Sequence, residues 1–333
     1  MRAGGRRVAD SELDGLRILG GNANPELAKA ISAQLDVPLS TMEVGRFSDG
    51  EIRVMIAESV RGADVFVVQS TCPPTSENIM ELLVILDGLK RASARRVTAV
   101  IPYYGYARQE KKIKPREPIT AKLVADVITV AGANRVLTVD LHSPAIQGFF
   151  NIPVDNVPAG PILVRDMEAR GYGGPDTVVV SPDVGGVGTA KALADRLSSA
   201  LAIIAKRRPG VNEVEILEVI GELEGKRAIL IDDIIDTGGS IVSAAQAVAD
   251  RGAKEVSAYA THPVFSGNAV ERLQRSALKE VVVTDTIPLP EGKQTSKIRV
   301  ISLAPVLAEA IKRVHAHQSV STLFDRYWKE EKR

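Results

Sequence analysis

The sequence predicts an α/β chain built from two duplicated, doubly wound domains with parallel sheets. Two observations carry that prediction. The first is internal similarity at an offset of about 160 residues: 27–35 (LAKAISAQL) resembles 189–197 (TAKALADRL), and each follows an apolar strand and a Gly-containing loop. An offset this long reads as domain duplication and not as a solenoid, whose units repeat every ~20–50 residues. The second is a longer parallel, DVFVVQSTCPPTSENIMELLVILDGLKRASARRVTAVIPY against RAILIDDIIDTGGSIVSAAQAVADRGAKEVSAYATHP. Each runs β-rich stretch, small polar loop, helical pattern, second β-rich stretch. Strands that alternate with helices imply a parallel sheet covered on both faces.

The elements follow in order. Asn24 is placed to cap a helix with Pro25 at its first position, after which Leu27, Ile31 and Leu35 fall on one face. In the second copy Ile241, Ala245, Val248 and Ala249 keep helical spacing, and Gly252 stops that helix before a strand at 256–261. The Pro- and Gly-containing stretch 156–161 is the natural boundary between the halves. The expected division is a loose tail at 1–15, an N-terminal domain at 16–160 and a C-terminal domain at 161–333.

Composition narrows the class. A chain of 333 residues suits about two domains, and 45% hydrophobic with 25% charged residues is the balance of a soluble globular protein. No apolar run approaches the ~18 residues that cross a bilayer, so no membrane association is expected. The 42 basic and 41 acidic side chains leave a net charge of +1, which gives no sequence-independent drive toward nucleic acid. The start, MRAGGRRVADSELDG, lacks the apolar core of a signal peptide, and the single Cys72 excludes an internal disulfide; the expected location is the cytoplasm.

The chemistry concentrates at 232–240 (DDIIDTGGS). Ile229, Leu230 and Ile231 read as a buried strand, with Asp232 and Asp233 at its C-terminal end, the edge at which parallel sheets bind ligands. Asp236, Thr237, Gly238, Gly239 and Ser240 follow directly before a helix N-terminus. The glycines let backbone N–H groups approach closely and the two hydroxyls add donors, an arrangement suited to a dianionic phosphate. The carboxylates would repel that phosphate, so they face sugar hydroxyls or a divalent cation. A ribose phosphate meets both needs. A solvated strand end followed by an ordinary turn is the bland alternative, and it leaves five polar positions converging at a sheet edge unexplained.

This string resembles the phosphoribosyl-binding motif of the type I phosphoribosyltransferase fold. With GNANPELA, GRFSDGE, PYYGYARQ, VDLHSPAIQGFF and SPDVGG it is similar, from residue 16 to 324, to the ribose-phosphate diphosphokinase (phosphoribosyl pyrophosphate synthetase) family. The resemblance implies an enzyme that moves the diphosphoryl group of ATP onto the 1-hydroxyl of ribose 5-phosphate, leaving AMP. It implies ATP contacts from Phe47, Asp49, Gly50, Glu51, Arg108 and Gln109 in the N-terminal domain. Ribose 5-phosphate would meet Arg208 and 232–240 in the C-terminal one. It implies Lys206 and Arg208 as catalytic cations on a mobile loop, and Mg2+ near His142 and Asp183. A histidine is not a favoured Mg2+ ligand, so His142 would act through water or touch a phosphate directly. The resemblance further implies a homo-oligomer, a hexamer built from dimers, in which the FSDGE segment reaches a neighbouring subunit's ATP site, with phosphate or ADP as regulator.

Three positions depart from the family pattern: Glu110 stands where many relatives have Asp, Lys191 is the only cation near Thr189, and Ser240 replaces threonine while keeping the hydroxyl. A phosphoribosyltransferase that consumes phosphoribosyl diphosphate would explain the loop, but not the duplication, FSDGE or the Arg108-Gln109 pair. A non-catalytic partner subunit would not need His142, Asp183, Lys206 and Arg208. His315 and His317 lie two apart on an expected helix and share no face, which argues against zinc, and Cys72 has no activating neighbour in sequence. The basic run 111–116 (KKIKPR) suits a solvated surface, a diphosphate or a regulatory anion.

Overall fold

The computed structural model describes residues 13–207 and 216–324, which form two compact units. In the first, β1 (Leu16–Gly20) leads into α1 (Pro25–Leu35), capped as the sequence predicts, with the Leu27 N–H donating to the Asn24 side chain at 3.3 Å. A parallel bridge then joins Leu39 to Ile18 on β1. The chain leaves the sheet as an antiparallel hairpin, β2 (Met42–Arg46) and β3 (Ile52–Ile56). It returns through β4 (Asp64–Val68), α2 (Thr75–Arg91), β5 (Arg96–Ile101), α3 (Thr120–Ala131), β6 (Arg135–Val139), a 3-10 helix at Pro144–Phe149 and β7 (Val154–Val157). The strands lie parallel in the order β1-β4-β5-β6-β7. Because Leu39 lies on the far side of β1, the winding direction reverses between β1 and β4.

The second unit repeats this plan. It contains α4 (Gly160–Ala169), β8 (Thr177–Ser181), α5 (Val187–Arg196), β9 (Ala200–Arg207), β10 (Ile216–Ile220) and β11 (Arg227–Ile235). After these come α6 (Gly239–Asp250), β12 (Glu255–Pro263), α7 (Ala269–Arg275), β13 (Glu280–Thr284) and β14 (Ile298–Ile301). The order is β10-β9-β8-β11-β12-β13-β14, with only β10 antiparallel to its neighbour. Five strands, β8-β11-β12-β13-β14, therefore reproduce β1-β4-β5-β6-β7. Their registers coincide: Arg227 pairs with Thr177 as Asp64 pairs with Leu16, which places Gln69 at the position of Asp232. The sequence duplication is thus a duplication of topology.

Central strands such as β4 (DVFVV) and β13 (EVVVT) are buried along their whole length, as expected for parallel strands covered on both faces. Leu82, Ile85, Leu86 and Leu89 of α2 share one core with Val65, Val67 and Ala99. Ile241, Ala244, Ala245 and Val248 of α6 join Val178, Leu230 and Ala258 in the other. Ala249, expected on that face, is only half-buried, and Ala244 takes the inward place.

The units are not contiguous in sequence, and here the structure departs from the expected 161–333 domain. The first unit takes in residues 303–324 along with those before 158, so α8 (Ala304–His315) packs beside α1, whereas α4 packs beside α5 in the second unit. Each helix thus follows the last strand of one sheet and belongs to the other unit. Polar contacts at the strand starts accompany the choice. Asp64, Arg96, Arg135 and Asp155 occupy matching positions on β4 to β7, and Arg227, Glu255, Glu280 and Arg299 occupy the same positions on β11 to β14 with every sign reversed. α8 brings His315, whose Nδ1 lies 2.7 Å from the fully buried Asp64. Arg96 also donates to Asp64 at 2.7 Å and to the Val314 carbonyl at 3.1 Å. α4 brings different partners: Asp166 accepts from Arg299 at 2.7 and 2.5 Å and from Tyr259 at 2.9 Å, and Arg170 pairs with Glu280 at 2.8 Å.

Candidate active site

β8 pairs with β11 only from Arg227 to Leu230, while β12 follows β11 to Ile235. The strand therefore runs three residues beyond the expected end at Asp232, and Asp232 and Asp233 stand just past the last rung shared with β8. This gap is where the winding direction reverses, the place at which open α/β sheets receive ligands. Asp183 follows β8 at the same edge. Its Oδ1 accepts the Gly186 N–H at 2.9 Å, and the Ser181 hydroxyl donates to its carbonyl at 2.7 Å, so the SPDVGG turn presents a positioned carboxylate.

The three acids are electrostatically linked. Burial first, then the charges of Asp233 and Asp183, push the Asp232 carboxyl up to about 8. The Asp233 N–H, which donates to Asp232 Oδ1 at 2.9 Å, opposes that rise only in part. An acid held this way favours partners that donate hydrogen bonds or carry positive charge. Beyond β11, Gly238 adopts φ +75° as the N-cap of α6; a Cβ there would meet nothing closer than 3.5 Å, so backbone conformation and not space calls for glycine. Thr237 and Ser240 are exposed beside this helix N-terminus. Its partial positive charge and outward N–H groups suit an anion.

The equivalent point in the first unit is filled by the protein itself. Gln69, in the place of Asp232, is fully buried and accepts the Ala23 N–H at 3.1 Å while donating to Glu81 at 3.0 Å. Glu81, buried on α2, accepts the Asn22 N–H at 2.6 Å. A Cβ on Gly21 would meet Gln69 Oε1 at 2.2 Å, which leaves no room for a ligand atom. Sequence position alone could have paired Gln69 with Asp232, but not revealed that Glu81 closes the space.

The remaining expected residues are placed as follows. Phe47, Asp49, Gly50 and Glu51 form the β2–β3 turn, with the Phe47 N–H donating to the Glu51 carbonyl at 2.8 Å and Phe47 itself 52% exposed. Arg108 and Gln109 are exposed in the loop before α3; Gln109 also serves that helix, accepting the Thr120 hydroxyl at 2.6 Å. His142 is exposed after β6 in the first unit, so the two residues expected near Mg2+, His142 and Asp183, belong to different units. Lys206 lies on β9, opposite Leu217, and Arg208 lies outside the described residues. Among the described residues no group of three or more His, Cys, Asp or Glu could close around a metal. Cys72 is buried, and burial pushes its thiol up to about 11, so it is unreactive at neutral pH. His317 lies past the end of α8 with φ +56° and not on the helix as expected, so both His315 and His317 face the Asp64–Arg96 pair.

Two similar doubly wound units, one with an acidic pair and glycine loop at its switch point, define the type I phosphoribosyltransferase-like fold. Comparison with known proteins narrows it. Residues 16–132 match the family model described as the N-terminal domain of ribose phosphate pyrophosphokinase, and 206–325 match the phosphoribosyl synthetase-associated domain. The ribose-phosphate pyrophosphokinase of Caldanaerobacter subterraneus subsp. tengcongensis is 59% identical over 309 residues, covering 93% of this chain and 98% of that protein. That of Bacillus subtilis is 55% identical over 93% of this chain and 97% of its own length. The crystal structure of phosphoribosylpyrophosphate synthetase from Mycobacterium smegmatis superposes with a TM-score of 0.86 at 44% identity, covering 91% of this chain and 99% of that one. The chain belongs to the ribose-phosphate pyrophosphokinase family and is an enzyme.

Proposed function

We propose that the chain transfers the diphosphoryl group of ATP to the 1-hydroxyl of D-ribose 5-phosphate, giving 5-phosphoribosyl 1-diphosphate and AMP for nucleotide biosynthesis. The observation that carries the reading to particular residues is the acidic pair and glycine loop at the switch point of one unit, with its counterpart plugged in the other. The 5-phosphate sits on the N–H groups and hydroxyls of Asp236, Thr237, Gly238, Gly239 and Ser240, and Asp232 and Asp233 accept hydrogen bonds from the ribose hydroxyls. Bound hydroxyls would supply the donors that the raised Asp232 carboxyl favours.

ATP is held by Phe47, Asp49, Gly50 and Glu51, with adenine stacked on the exposed Phe47 ring, and by Arg108 and Gln109. The sugar O1 forms a bond to the β-phosphorus as the bond from that phosphorus to the oxygen of the α-phosphate breaks; AMP leaves with this oxygen, and the hydroxyl proton is lost. Positioning and charge neutralisation do most of the work in such transfers, and Lys206 and Arg208 supply the protein's cations. Asp183 in one unit and His142 in the other are each candidates to hold Mg2+, which would neutralise phosphate charge when bound.

The exposed tip of the β2–β3 hairpin supports assembly as a homo-oligomer, a hexamer built from dimers, in which that tip meets a neighbour's ATP site. Phosphate or ADP is the expected regulator. No helix among the described residues is long and apolar enough to cross a membrane. A cytoplasmic location remains the expectation, and a net charge of +1 gives no drive toward nucleic acid. Incubation of the purified protein with ATP, Mg2+, ribose 5-phosphate and inorganic phosphate tests the reaction. AMP and phosphoribosyl diphosphate should form in equal amounts; a folded oligomer that forms neither refutes it.

A further inference from the structure

From the geometry around 235–238 we infer that Arg272, on α7, is a positioning residue for ribose 5-phosphate, acting through the carbonyl face of the phosphate loop. The inference rests on the reading of that loop given above. Three successive carbonyls of the loop are held by one neighbouring segment. The Phe265 N–H donates to the Ile235 carbonyl at 3.1 Å, the Ser266 N–H donates to the Asp236 carbonyl at 3.0 Å, and Arg272 Nη1 donates to the Thr237 carbonyl at 3.4 Å.

In a planar trans peptide the carbonyl of one residue and the N–H of the next point in opposite directions. With the carbonyls of 235, 236 and 237 turned toward the 265–272 segment, the N–H groups of Asp236, Thr237 and Gly238 face away from it. These are donors the anion needs, and fixing them before it arrives removes the cost of aligning them on binding.

The segment is itself held under constraint. Phe265 is fully buried with φ +47°, a left-handed conformation disfavoured for an aromatic residue, and Lys293 Nζ donates to its carbonyl at 2.7 Å. At the other end α7 closes on the loop, where a Cβ on Gly238 would meet the Ala269 carbonyl at 3.5 Å. Arg272 is the last of the three donors and the only side chain among them. A Cβ on Gly239 would lie 3.8 Å from its Nη1, so the guanidinium lies alongside the glycine pair. Being on the surface of a short helix, it can be replaced with little loss of core packing.

Steady-state kinetics and calorimetric titration with ribose 5-phosphate, on the full-length assembled enzyme, test the assignment. Arg272→Ala should raise the KM and Kd for ribose 5-phosphate by ~10-fold, the order expected for loss of one hydrogen bond from a charged donor. kcat and the KM for ATP should stay within about twofold of the parent. Arg272→Lys, which keeps a cationic donor, should recover part of the affinity, and Lys293→Met, which loosens the far end of the segment, should reproduce the selective rise. An unchanged Kd in Arg272→Ala overturns the proposal, and so does a fall in kcat with both KM values rising together. If the parent enzyme binds ATP but no ribose 5-phosphate, the loop reading fails first and the inference falls with it.

Discussion

Asp232 keeps its proton to about pH 8 in the folded chain, against an ordinary value of 3.8. Between those values the native state binds more protons than the unfolded one, so this group makes stability fall as pH rises from about 4 to about 8. Asp232→Asn cannot ionise and should lose that slope. In urea unfolding without ligand it is expected to be more stable than the parent at pH 8, while binding ribose 5-phosphate far more weakly. A variant less stable than the parent at that pH would contradict the burial and charge account of the site. Lys206 offers a kinetic counterpart: removing a donor to the transferring group typically costs ~100- to 1,000-fold in rate, so Lys206→Ala should show that loss in kcat with the fold intact by circular dichroism. The acidic pair and glycine loop were legible in the sequence because they are consecutive and chemically unusual. Arg272 was not, because it follows the loop by more than thirty residues in sequence and touches it through a backbone carbonyl that no side chain announces.

At the scale of elements, α1, α2, α6 and the strands that flank them follow from apolar spacing, and the cap at Asn24 follows from the Asn-Pro pair. The ownership of α8 does not. Its apolar face, with Val306, Leu307, Ala310, Ile311 and Val314 buried, would fit many surfaces, and periodicity says nothing about which one. The partner is chosen by Asp64, whose fully buried carboxylate joins Arg96 to His315 across about 250 residues of sequence. Removing one member of a buried ion pair leaves charge uncompensated and commonly costs about 3–5 kcal/mol. Asp64→Ala should therefore destabilise the first unit by that order in chemical denaturation and expose backbone amides of α8 to hydrogen exchange, without the same effect on α4. Equal exchange in both helices would show that charge does not hold α8 in place.

Across the whole molecule, duplication supplied two copies of one scaffold, and their later divergence lies in charges and in side chains at the switch points. At one end of the sheets, the rows Asp64, Arg96, Arg135, Asp155 and Arg227, Glu255, Glu280, Arg299 are opposite in sign, and α8, carrying His315, and α4, carrying Asp166, each meet a matching hydrogen-bond partner on the unit where they pack. At the other end, Asp232 and Gln69 occupy one position in two units, the first beside the proposed phosphate loop and the second tied to Glu81. Sequence comparison of the halves shows the exchange of Asp for Gln; only the packing of Asn22, Gln69 and Glu81 shows that the first site is filled. The central claim is that a chain with two homologous crevices has one sugar-phosphate site. Calorimetric titration of the ATP-free enzyme with ribose 5-phosphate measures this directly: the account predicts one molecule bound per chain, lost in a variant carrying Asp232→Ala and Asp233→Ala and retained in Gln69→Ala. Two molecules per chain, or binding that survives the double substitution, would contradict it.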